Sequence, residues 1–193
     1  MAKPTTLYQL KVTLKGVRPP IWRRLHVPAD IKLDKLHLVL QDALGWTNSH
    51  LHQFVVGERY IGMMDVDEPS DDLEDEKRFK LSQIAGEKSR FLYEYDFGDG
   101  WAHGIVVEKV LPTVDGIRYP ICIAGKRACP PEDCGGPYGY ADFLDAISDP
   151  KHDRHDEVIE WIGRPFDPEE FDVEQTTALI RSGRSRQLGW VLA

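Results

Sequence analysis

Apolar and polar residues alternate with period two from the start of the chain: Tyr8, Leu10, Val12 and Leu14 interleave with Gln9, Lys11, Thr13 and Lys15. This is the pattern of a strand with one buried face. Gly16 and Pro19-Pro20 break it, and Ile21 to Val27 resume an extended pattern, with Ile21, Leu25 and Val27 on one side and Trp22, Arg24 and His26 on the other. The two segments predict a hairpin. Leu33, Leu36, Leu40 and Leu44 then recur at helical spacing and Gly45 follows at the C′ position, which predicts a helix of about three turns. Leu51–Val56 and Arg59–Met63 predict a second hairpin bent at Gly57. A third has the strongest pattern: Phe91, Tyr93, Tyr95 and Phe97, the turn Gly98-Asp99-Gly100, then Trp101, His103, Ile105 and Val107 on the apolar face of the return strand.

After Pro112 the texture changes. Tyr119–Ile123 predicts one more short strand and residues 125–139 a Cys/Pro/Gly loop. Helical segments are expected near Tyr140–Ser148, Asp156–Ile162 and Val173–Ser182, with starts signalled by Asp153 and by Asp167-Pro168-Glu169-Glu170. The expected fold is α+β: a largely antiparallel sheet of hairpins, one early crossing helix and a helical C-terminal third. Its 193 residues fit a single domain spanning 1–193.

Charge changes this picture in one place. Of the net −8, Asp65 to Arg78 holds eight acids and two bases, leaving the rest of the chain close to balance. This stretch is expected to be an exposed, mobile loop over 65–78, dispensable over Asp65–Glu76. Residues 183–193 are expected to form a C-terminal tail. No apolar run approaches the roughly 18–20 residues that span a bilayer. The N-terminus runs into a strand rather than an apolar signal region. The expectation is a cytoplasmic chain without membrane contact, whose three cysteines are reduced.

The segments RPPIWRRLHVPA, LHLVLQDALGWTNSHLHQF, YEYDFGDGWAHGIVVEK, RACPPEDCGGPYGYADFLDAISDPKHDRHDE and EWIGRPFDPEEFD, in this order across residues 18 to 172, resemble the plasmid pRiA4b ORF-three-like family. The resemblance implies an α+β fold and the company of plasmids and mobile elements, some relatives being insertion-sequence passengers; it implies no agreed activity. A resolvase-type chemistry would need a nucleophilic serine among arginines. Ser182 and Ser185 lie among Arg181, Arg184 and Arg186, but in a tail with no helix-turn-helix after it.

Three constellations carry chemistry, each with a structural alternative. His50, His52 and His103 with Asp96 and Asp99 are metal ligands in type if the second and third hairpins adjoin. Otherwise His103 is a hydrogen-bonded core residue, Asp99 a turn residue and Asp96 a partner for backbone amides. Arg18, Trp22, Arg23, Arg24 and His26 have the composition of a phosphate and base contact, or of a solvated strand face paired with surplus acids. Cys122, Cys129 and Cys134 are a loose zinc pattern lacking an obvious fourth ligand, and read more simply as packed thiols without metal. P-loop, dinucleotide, serine-hydrolase and zincin motifs are absent from the sequence. The leading expectation is a non-enzymatic accessory module of mobile DNA that needs no cofactor and has a protein or nucleic-acid partner. The alternative is a metal-dependent hydrolase, with zinc as an example, acting on phosphate or nucleotide substrates.

Overall fold

A computed structural model of the protein describes residues 6–64 and 72–187, the last two without their side chains. Eight strands among the described residues form one sheet: β1 (Thr6–Leu14), β2 (Trp22–Pro28), β3 (His52–Val56), β4 (Arg59–Gly62), β5 (Leu73–Asp75), β6 (Arg90–Tyr95), β7 (Trp101–Pro112) and β8 (Ile121–Lys126). Their order is β5-β4-β3-β6-β7-β1-β2-β8. Every pairing is antiparallel except β4 with β5. Helices α1 (Leu33–Leu44), α2 (Leu81–Ile84), α3 (Gly136–Ser148), α4 (His155–Ile162), α5 (Val173–Ser182) and α6 (Arg184–Gln187) complete the α+β fold.

The alternation along β1, β2, β6 and β7 leaves one sheet face buried and the other accessible. Leu10, Leu25, Tyr93, Trp101 and Ile105 on the inner face pack with Leu33, Leu36 and Leu40 of α1 in one continuous core. The helix stops where the sequence says it should: Gly45 adopts φ 83°, which spares it the penalty a Cβ would bring, and its N–H donates to Gln41 O. The bend at Gly57 is likewise left-handed. Helix α5 packs on β8 and α1 at the same inner side.

Several boundaries differ from expectation. Phe97 leaves the apolar face and is 54% exposed, because Asp96 takes φ 55° and the strand ends at Tyr95, two residues before Phe97. The Cys/Pro/Gly segment is shorter at both ends, since β8 runs on to Lys126 and α3 starts at Gly136. Helix α4 is preceded by Arg154 rather than capped by Asp153. Residues 167–170 form a turn, not a helix start; α5 begins at Val173, where the Asp172 carboxylate accepts from Gln175 N.

The acidic segment is corrected in its second half. Residues 65–71 lie outside the described residues. From Leu73 the chain forms β5 and then a short 3-10 turn, Glu76–Arg78, that buries Glu76. The expected C-terminal tail is likewise structured at its start: Ser185 is fully buried, its N–H donating to Asp42 and its hydroxyl to Leu38 O. Residues 188–193 lie outside the described residues.

Candidate functional site

Three loops meet at the end of the sheet where β6 ends and β7 begins. They are the link from α1 to β3, the β6–β7 turn and the link from β8 to α3. Tyr95 ties them together. Its hydroxyl donates to Glu132 Oε1 (2.5 Å) and accepts from Ser49 N (2.9 Å) and His50 N (3.3 Å). Burial first, and then the Glu132 carboxylate, raise the Tyr95 phenol well above its ordinary range, so it is the donor in this arrangement. The other oxygen of Glu132 accepts from Thr47 N (2.9 Å) and Thr47 Oγ1 (2.5 Å). Trp46 stacks on the Tyr95 ring and donates from Nε1 to Pro130 O (2.9 Å). Gly135 N donates to Asp99 Oδ2 (3.1 Å), and a Cβ on Gly136 would collide with the Asp99 carbonyl oxygen. Glycine is therefore required where these loops touch.

In this frame His50, Asp96 and Asp133 converge, their ligand atoms all within 4.8 Å of one another. His50 Nε2 lies 3.0 Å from Asp133 Oδ1 and 3.7 Å from Asp96 Oδ2. Asp96 Oδ1 accepts from Gly98 N (3.0 Å) and Asp99 N (3.3 Å), which fixes the carboxylate and turns Oδ2 toward His50. Asn48, Asp96 and Asp133 all have positive φ (59°, 55° and 62°). Non-glycine residues held in this sparsely populated region concentrate where surrounding structure over-determines the backbone.

The expected five-residue set is therefore divided. His50 and Asp96 come together; Asp99 serves the loop junction; His52 and His103 point into the core. His50 precedes the first residue of β3, so it does not share a strand face with His52. The His52 ring stacks on His37 (3.4 Å between centroids, 3° between planes), and its Nε2 lies 2.8 Å from Glu76 Oε2. His37 in turn contacts Tyr93 Oη (2.8 Å) and Asn48 Oδ1 (2.6 Å), and desolvation, then His52, hold its pKa well below the ordinary value. His103 is fully buried with Nδ1 at 3.3 Å from Tyr93 O; desolvation pushes its pKa down to about 4. A neutral imidazole donates from Nδ1 to that carbonyl.

Sequence reasoning passed over Asp133, Glu132 and Tyr95. The available signal was the acid pair inside Cys129-Pro-Pro-Glu-Asp-Cys134, a proline-stiffened stretch flanked by glycines. The cysteines themselves separate. The Cys122 thiol contacts Ala124 O, Cys129 accepts from the Arg23 guanidinium, and burial, followed by the Asp99 carboxylate, pushes Cys134 up to about 12. They join no group of three metal-ligand side chains among the described residues.

The second surface is the outer sheet face. Trp22 lies there with the Lys11 ammonium and the Arg24 guanidinium 5.4 Å and 5.1 Å from its ring centroid. Arg24 also forms a two-point ion pair with Glu108 (2.7 and 3.0 Å). Gln9, Arg24, Lys88, Arg90, Glu108 and Lys109 border a shallow depression of about 610 Å³. His26 contacts Gln9 (3.1 Å); desolvation and then Lys109 lower its pKa, which favours the neutral ring. Arg18 is exposed in the turn between β1 and β2.

Arg23 is a correction. It is 4% exposed, donates to Ala43 O, Trp22 O, Lys126 O and Cys129 Sγ, and lies 4.4 Å from the Phe171 ring centroid. It sits in phase with Ile21, Leu25 and Val27, so strand alternation alone directs it inward.

Residues 6–175 match the family described as plasmid pRiA4b ORF-3-like protein. The chain belongs to this family. It is 47% identical over 161 residues to the uncharacterized protein y4hQ of Sinorhizobium fredii (strain NBRC 101917 / NGR234), covering 82% of this chain and 81% of that one. It also resembles the crystal structure of a protein of unknown function, MM3350 from Methanosarcina mazei Go1, with a TM-score of 0.82, 38% identity, and coverage of 89% of this chain and 98% of that one. The family and the α+β architecture are thus shown together. Among the described residues, no helix is long and apolar enough to cross a membrane.

Proposed function

We propose that this pRiA4b ORF-3-like protein is a nucleic-acid-binding accessory module of mobile DNA whose contact surface is the open face of the sheet. One observation carries the reading. On a chain of net charge −8, the outer face and its margin gather Lys11, Arg24, Lys88, Arg90, Lys109 and Lys126 around Trp22, with Glu94 and Glu108 as the interspersed acids. Lysine and arginine recruit phosphates by releasing condensed counterions, and an indole offers bases a stacking surface. A sheet face suits a single strand better than a duplex, since it can lie against splayed bases without entering a groove. The family's plasmid association agrees with such a partner.

The test is fluorescence anisotropy with a labelled single-stranded oligonucleotide. Binding is expected in about 50 mM salt. The triple reversal Lys11→Glu, Arg90→Glu and Lys109→Glu should weaken it at least tenfold while circular dichroism stays unchanged. Equal affinity in the folded variant, or no binding by the parent, would overturn the reading. A second reading, a metal-dependent hydrolase of phosphate or nucleotide substrates, draws support from a different observation, the convergence of His50, Asp96 and Asp133.

A further inference from the structure

We propose that His50, Asp96 and Asp133 form a binding site for one divalent first-row transition ion, with coordination positions left open to solvent. The site is independent of the sheet face, so either can fail alone. The spacing is close to what an ion needs: two donors each about 2.0–2.2 Å from one ion are about 3–3.5 Å apart; His50 Nε2 is 3.0 Å from Asp133 Oδ1, within that range, and 3.7 Å from Asp96 Oδ2, a little beyond it. The angles support it further. His50 Nε2 is shielded from solvent yet has no hydrogen-bond partner, although a carboxylate oxygen is 3.0 Å away. A nitrogen and an oxygen that close but not aligned for donation are placed as two ligands of a shared ion are placed, rather than as a hydrogen-bonded pair.

The ligands are also held before any ion arrives. Asp96 is fixed by two backbone amides and His50 by the Tyr95 hydroxyl at its own N–H, while the loop that carries Asp133 is tied down at Glu132 by Tyr95 and Thr47 and leaves the Asp133 carboxylate itself exposed. Such outer contacts orient ligands and sustain affinity. Asp133 is exposed and also borders a cleft of about 170 Å³ against α3 and α4, leaving that side of the ion accessible to water or an oxygen-donor anion. One imidazole with two carboxylates is a nitrogen–oxygen set. It suits manganese through zinc better than calcium or magnesium, which favour all-oxygen shells, and the absence of thiolate ligands makes it unlike a structural zinc site.

The experiment titrates the full, untagged and reduced chain with Mn²⁺, followed by the paramagnetic signal of free ion, and with Zn²⁺ by calorimetry. One ion per chain is expected. His50→Gln and Asp133→Asn should each weaken Mn²⁺ binding at least tenfold, while the metal-free melting temperature stays that of the parent. Asparagine tolerates the positive φ at position 133, so this variant keeps the loop intact. Failure of the parent to bind either ion by about 1 mM would overturn the proposal and leave His50 and Asp133 as a plain side-chain contact, since a site of Kd above that value holds an ion only weakly. So would Mn²⁺ binding that survives either substitution, because the ion would then sit elsewhere.

Discussion

His103 and Arg23 show what burial does to single polar side chains. Desolvation lowers the His103 pKa from its ordinary 6.5 to about 4, so the folded protein holds the neutral ring. The unfolded chain binds the proton more readily. The contribution of His103 is thus complete above about pH 6.5 and is lost as pH falls through about 4, an effect on the order of 3 kcal/mol. His37 is shifted in the same direction. Urea midpoints at pH 7 and pH 4 should show this loss, and it should shrink in His103→Phe; an undiminished loss would mean that another group titrates. Arg23 carries its charge into the core on carbonyl oxygens, a thiol and an aromatic ring. Arg23→Lys keeps the charge but cannot reproduce the planar fork. It should lower stability by more than about 2 kcal/mol, read as a shift in denaturation midpoint, and leave the affinity for oligonucleotide unchanged.

At the scale of elements, the β6–β7 hairpin is the centre of the inner face. Trp101 is fully buried beside Trp46 (5.9 Å between ring centroids). Trp101→Ala should cost about 3–5 kcal/mol, a large share of a domain's usual total of about 5–15 kcal/mol, and should yield largely insoluble protein. The acidic segment divides into two parts with different expectations. Shortening it within residues 65–71 should leave the melting temperature nearly unchanged, because closure entropy varies slowly with loop length. Glu76→Ala should instead destabilise by about 1–3 kcal/mol by abandoning the buried His52 nitrogen. Equal melting temperatures for parent and Glu76→Ala would show that this pair contributes nothing.

Across the whole molecule, charge is segregated: acids dominate residues 65–76, while the outer sheet face is basic. Net charge therefore misdescribes the surface that a partner meets. With about five phosphates engaged on that face, raising salt from about 50 to 200 mM should weaken single-strand binding about a hundredfold. Affinity measured across that range checks it; a flat dependence would argue against phosphate contacts.

Sequence alone determined the elements whose patterns are local. Alternation marked β1, β6 and β7, the leucine spacing and Gly45 marked α1, and both were read correctly because a strand or helix face must repeat with its own period to reach one core. It also held the direction of Arg23, in phase with its apolar neighbours, although residue type suggested the surface. What it did not contain was convergence. His50 and Asp96 were visible as candidates, but Asp133 joins them only because the link from β8 to α3 returns across the end of the sheet, clamped by Tyr95 through Glu132. The separation of His50 from His52 likewise depends on where β3 begins. Such facts belong to contacts between residues far apart in the chain, for which no local periodicity leaves a trace, and only the closed tertiary structure decides them.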